Sequence, residues 1–164
     1  MSESFRFDLV DDFTTGTIGE PGQRVFFLQL LAGLDRVTLR CEKGHVSALS
    51  ASFRTVLEDL PPVEGRTAIS GELLVAGEEW IVGGIGLAYD EDGDRIIVQL
   101  EELVLEDDDD PTAPEPATVR FGLTRAMASA FCDRADDLLS AGRPPCQWCG
   151  RPIDPTGHAC PRMN

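Results

Sequence analysis

Lysine is almost missing from this chain of 164 residues: Lys43 is the only one, and every other basic side chain except the two histidines is arginine. Schiff-base chemistry, a phosphate-loop lysine and a lysine general base would all rest on that one residue, and no phosphate-cradling glycine motif surrounds it. Histidine is equally scarce, with only His45 and His158. Positive charge is short altogether. Fourteen Lys and Arg face 29 Asp and Glu, giving a net charge of −15 and a pI near 4.3. Such a surface repels phosphate backbones, which disfavours nucleic-acid binding by the body of the protein. There is no Gly-x-Ser-x-Gly elbow, no dinucleotide fingerprint and no paired carboxylates on a recognisable scaffold, so no catalytic residue is assigned and the balance leans away from an enzyme. Long apolar runs are absent too. Trp80 to Ala88 is the longest strongly apolar stretch, far short of the ~20 residues of a membrane helix. The acidic start, MSESFRFDLVDDF, lacks the basic-then-apolar pattern of a signal peptide. The expectation is a soluble cytoplasmic protein with no membrane partner.

What is present suits one α+β domain. Apolar residues make up 42% of the chain, enough for a packed core at this length. Residues 4–10 alternate and predict a strand, as do Arg24 to Leu31 after a Pro-Gly turn at Glu20–Gln23, and Val37 to Cys41 with one buried face. Then Val46, Leu49, Phe53, Val56, Leu57 and Leu60 recur at three- and four-residue steps, predicting an amphipathic helix that Pro61-Pro62 stops. The second half repeats the order. Trp80 to Ala88 and Arg95 to Leu105 predict a hairpin turned at Asp92-Gly93, Thr118 to Leu123 a third strand, and Thr124 the N-cap of a helix carrying Met127, Phe131, Ala135 and Leu138, closed by Gly142.

These readings predict an antiparallel sheet with two helices and two similar strand–strand–strand–helix halves. The expected body is 1–142, with pseudo-repeats at about 4–62 and 70–142, followed by a tail at 143–164. Gly16-Thr17-Ile18-Gly19 precedes Arg24 and Gln29-Leu30 much as Gly83-Gly84-Ile85-Gly86 precedes Arg95 and Gln99-Leu100, a likeness that hairpins also produce without duplication. Residues 106–117, acidic and proline-rich with no large apolar side chain, are expected to form a mobile loop.

The tail carries the chemistry. Cys146-Gln147-Trp148-Cys149-Gly150 is a Cys-x-x-Cys pair followed by glycine, and His158-Ala159-Cys160 supplies a nitrogen and a third sulfur. Four nitrogen and sulfur ligands at this spacing suit one tetrahedral Zn2+, held structurally because no position stays open for water. A tail this short builds no core, so the metal would supply its folding energy. The competing reading of Cys146 and Cys149 is a redox pair, which more often opens a helix than sits among prolines and glycine.

Cys41 and Cys132 read as buried apolar residues, with Cys41 and His45 a remote candidate for a nucleophile–base or second metal pair. Asp90 to Asp94 with Glu101 resembles a calcium loop poorly, since the glycine is misplaced and strands flank it. The run Asp107 to Asp110 reads as a solvated acidic loop.

With GTIGEPGQRVFFLQ at Gly16 to Gln29, the helix start Leu123-Thr124-Arg125-Ala126 and GRPPCQWCGRPIDPTGHACPRMN at Gly142 to Asn164, nearly the whole chain resembles an uncharacterised actinobacterial family, numbered 3090 among the domains of unknown function. Where the family usually has proline after its first knuckle cysteine this chain has Gln147. The resemblance implies the zinc knuckle and brings no activity, substrate or partner. The expected role is therefore a non-enzymatic binding or adaptor protein with a protein partner, its zinc tail presenting Trp148 or packing that ring back onto the body. Two alternatives stand beside it. One is single-stranded nucleic-acid binding through Arg143, Arg151 and Arg162 against Asp154, and the other an enzyme with a site on the sheet.

Overall fold

The computed structural model describes residues 2–20, 22–62, 73, 77–105, 112–141, 144–153 and 157–162. Their order is β1 (Phe5–Phe7), β2 (Asp12–Ile18), β3 (Val25–Ala32), β4 (Asp35–Cys41), α1 (Lys43–Glu58), β5 (Val82–Asp90), β6 (Arg95–Glu102), β7 (Thr118–Thr124) and α2 (Arg125–Ser140). The strands form two sheets, one of order β1-β7-β6-β5 and one of order β2-β3-β4. All neighbours pair antiparallel except β1 and β7, which run parallel. The protein is thus α+β with two helices; four strands precede α1 and three more precede α2.

One strand of the first half is not where the alternation at 4–10 predicts it. Only Phe5–Phe7 is extended there, and it joins the sheet of the second half through Phe5↔Val119 and Phe7↔Phe121. The three-stranded sheet instead begins with β2, whose Asp-Phe-Thr-Thr-Gly-Thr-Ile carries too little apolar alternation to announce itself. Its polar residues are stabilised by the sheet. Thr15 Oγ1 donates to the Phe27 carbonyl at 2.9 Å, and in the adjoining strands Gln29 Nε2 donates to Thr38 Oγ1 at 2.8 Å. Threonine tolerates burial in a strand because the branched Cβ fits the pleat and the hydroxyl finds a carbonyl.

The turn expected at Glu20–Gln23 closes with the Gln23 N–H on the Glu20 carbonyl at 2.9 Å. The helix ends also follow the local signals. Thr124 Oγ1 accepts the Met127 N–H at 3.1 Å, capping α2, and α1 ends just before Pro61-Pro62. Gly142, the expected stop of α2, lies outside the described residues, as does the acidic run 106–111. Of the remainder of that loop, Thr112 to Pro116 are exposed, while Ala117 is buried and donates its N–H to Glu102.

The inner faces of both sheets and both helices share one core. Phe13 of β2 sits at its centre. Its ring lies 4.8 Å from Phe131 of α2 and nearly parallel to it, 4.9 Å from Phe121 of β7, and 6.4 Å from Phe53 of α1. One ring therefore touches both sheets and both helices, at the offset and edge geometries that aromatic quadrupoles favour. The sheets also approach where Glu79 and Arg40 exchange backbone bonds with Thr38 and Trp80, and where Arg40 bridges Ile81. Gly122 is needed in β7 for close approach, because a Cβ there would collide with the Asp8 carbonyl.

Candidate metal centre

The tail is built on short backbone contacts rather than on apolar packing. The Cys146 N–H donates to the Arg151 carbonyl at 2.7 Å, Ile153 to Pro144 at 2.9 Å and Gly150 to Cys146 at 2.8 Å. Pro145 and Pro152 face each other as an antiparallel bridge. These bonds turn the chain back on itself under Cys146 and Cys149. Gly150 completes the reversal at φ +72°, a left-handed conformation that a Cβ disfavours.

His158 and Cys160 come against this knuckle from the other side. The ligand atoms of Cys146, Cys149, His158 and Cys160 all lie within 4.8 Å of one another. Cys146 Sγ is 3.9 Å from Cys160 Sγ, and Cys149 Sγ is 3.5 Å from His158 Nε2. The first distance is far beyond the ~2.05 Å of a disulfide, and all three thiols are free. Cys146 and Cys160 are buried, Cys149 and His158 half-buried. The backbone N–H groups of Cys149 and Trp148 aim at the Cys146 sulfur and bring its thiol down to about 6. Cys160 behaves oppositely. The Arg162 N–H pulls its pKa down, but burial and the neighbouring Cys149 and Cys146 sulfurs outweigh it and the net shift is upward. The four residues could hold one metal ion.

The other candidates are not brought together. Cys41 lies on the core face of β4 opposite Phe26, and burial, with Glu42 adding to it, pushes its thiol up to about 12. His45 is a helix cap: its Nδ1 accepts the Glu42 N–H at 3.1 Å. Cys132 is buried on α2 against the Ser50 carbonyl at 3.5 Å, and burial raises its pKa. Asp90 to Asp94 is a hairpin turn whose first and last carboxylates are taken by arginine. Arg95 holds Asp90 at 2.9 Å and Arg125 grips Asp94 at 2.8 and 3.1 Å. Asp107 to Asp110, Arg143 and Asp154 lie outside the described residues. Trp148 is 58% exposed, so its ring is not packed away.

Fold and site together define an α+β protein with a C-terminal Cys3His cluster able to take a metal ion. Residues 5–160 match the family described as a protein of unknown function (DUF3090), and the chain belongs to that family. No curated protein and no solved structure matches it.

Proposed function

We propose that the tail binds one structural zinc ion and that the protein works as a non-enzymatic adaptor, with the zinc-ordered knuckle presenting Trp148 to a protein partner. The spacing of the four donors carries this reading. With Zn–S near 2.3 Å and Zn–N near 2.0 Å, the edges of a tetrahedron are about 3.8 Å between two sulfurs and about 3.5 Å between sulfur and nitrogen. Cys146–Cys160 at 3.9 Å and Cys149–His158 at 3.5 Å agree with those edges. Three soft thiolates and an imidazole favour zinc over magnesium or calcium, which take oxygen. Four protein ligands leave no coordination position for a reacting water, so the ion's role would be structural. The half-exposed indole beside it is the kind of side chain that anchors interfaces.

The enzyme alternative loses its best pair, because the Cys41 thiol is pushed far above neutrality and His45 serves as a cap. Arg151 and Arg162 are exposed, which keeps a basic tail surface available, but two arginines on a chain of charge −15 give a weak hold on a polyanion.

Elemental analysis of the purified chain tests the zinc reading. About one zinc per chain is expected, lost in Cys149→Ser. Negligible zinc, with Cys146 and Cys149 cycling reversibly between thiol and disulfide, would sink it in favour of redox chemistry. For the adaptor role, a partner captured by the native protein should be released by Trp148→Ala while zinc content stays the same.

A further inference from the structure

The four-stranded sheet buries one face and leaves the other open. On the open face the register sets Arg6 of β1, Arg120 of β7, Gln99 of β6 and Gly86 of β5 in one row. The next row is Gly122, Ile97 and Ala88. Because three of these positions carry hydrogen or methyl, the floor is low, and two adjoining recesses of about 170 and 240 Å³ share Ile97 and Arg120 in their walls.

Some of the charges here are used up internally and two are not. Arg95 is committed to Asp90 and to the Asp8 carbonyl. Arg6 and Arg120 have no ion-pair partner among the described residues, although Asp8 borders the first recess and Glu101, which accepts from Gln99 Nε2 at 3.2 Å, stands on the same face. Paired positions on neighbouring strands stand about 5 Å apart, and like charges facing each other there repel. In a chain with twice as many acids as bases, two adjacent arginines with no ion-pair partner among the described residues call for an anion from outside.

We propose that this face binds the phosphoryl group of a small phosphorylated molecule. Arg6 and Arg120 clasp the oxyanion, and the rest of the ligand lies on the floor formed by Gly86, Ala88 and Ile97. Two guanidinium forks match a dianion with several oxygens better than a single carboxylate. The ligand is small because the outward residues of these rows offer no aromatic ring for base stacking, and the net charge repels a polyanion.

Amide NMR on the full-length chain at low ionic strength tests this, with inorganic phosphate, phenyl phosphate and acetate as probes. Phosphate and phenyl phosphate should give saturable shifts on β6 and β7, phenyl phosphate the tighter of the two, and acetate little. Arg120→Ala should weaken phosphate binding about tenfold, Arg120→Lys less, and the Arg6→Ala/Arg120→Ala double variant should abolish it. Both side chains are exposed, so an unchanged thermal transition will show that the variants fold. No saturable shift at about 10 mM phosphate, equal response to acetate, or binding that survives the double variant would each overturn the proposal. Tighter binding of a single-stranded oligonucleotide through the same arginines would overturn the small-molecule form and install nucleic acid as the ligand.

Discussion

The body and the tail of this protein are held together by different physics. In the body, stability is spread over one apolar core in which Phe13 alone contacts rings from β7, α1 and α2. In the tail, a few backbone bonds shape a knuckle and four donor atoms converge on one point. A distributed core degrades by increments when side chains are trimmed, whereas a site built on one ion is present or lost as a unit.

The sharpest way to break that comparison is to challenge the proposed metal. If the tail holds the proposed zinc, chelation or Cys149→Ser should unfold it completely, since a structural zinc contributes on the order of 10 kcal/mol. The body should keep its thermal transition, and a probe on Trp148 with a probe in the core would separate the two. A single transition lost in both regions would show that the tail supports the body. Next in size, Phe13→Ala should destabilise the body by about 3–5 kcal/mol in denaturant unfolding and leave zinc content unchanged. Smaller again, Thr124→Ala removes the cap of α2 and should cost about 1 kcal/mol.

The smallest effect expected is one of pH. Hydrogen bonds from Arg125 and Tyr89 depress the pKa of Asp94, and those from Arg95 and the Gly93 N–H depress that of Asp90. Carboxylates lowered on folding stabilise the native state above the ordinary aspartate range near 4, and that stabilisation is lost as pH falls through the lower folded values. Wild type should therefore lose stability on acidification over this window, and Asp94→Asn should flatten part of the slope. The effect is modest because both groups are solvent-exposed.

Much of this was legible in the residues. The stripe from Val46 to Phe53, the Thr124 cap and the hairpin turn at Asp92-Gly93 are local signals, and local signals report backbone conformation directly. The four candidate ligands were legible for a related reason: Cys-x-x-Cys-Gly and His-x-Cys are short enough that chain geometry brings each pair to one side. What failed was the role of β1 and β2. Residues 4–10 alternate strongly yet contribute three residues to the other sheet, while the threonine-rich β2 heads its own sheet, paired along its length with β3, whose Phe27 carbonyl accepts the Thr15 hydroxyl. Nothing local distinguishes a polar strand that will be paired from a polar loop.

The sequence by itself determined the helices, most of the strands and which four residues form the candidate cluster, because periodicity, caps and tight cysteine spacing act over a few residues. Only the tertiary structure decided that His45 caps α1, that Phe13 joins both sheets and both helices, and that Arg6 and Arg120 stand side by side with no ion-pair partner among the described residues. Those outcomes depend on which distant segments pair, and pairing is settled by the burial of the whole core rather than by any stretch of chain.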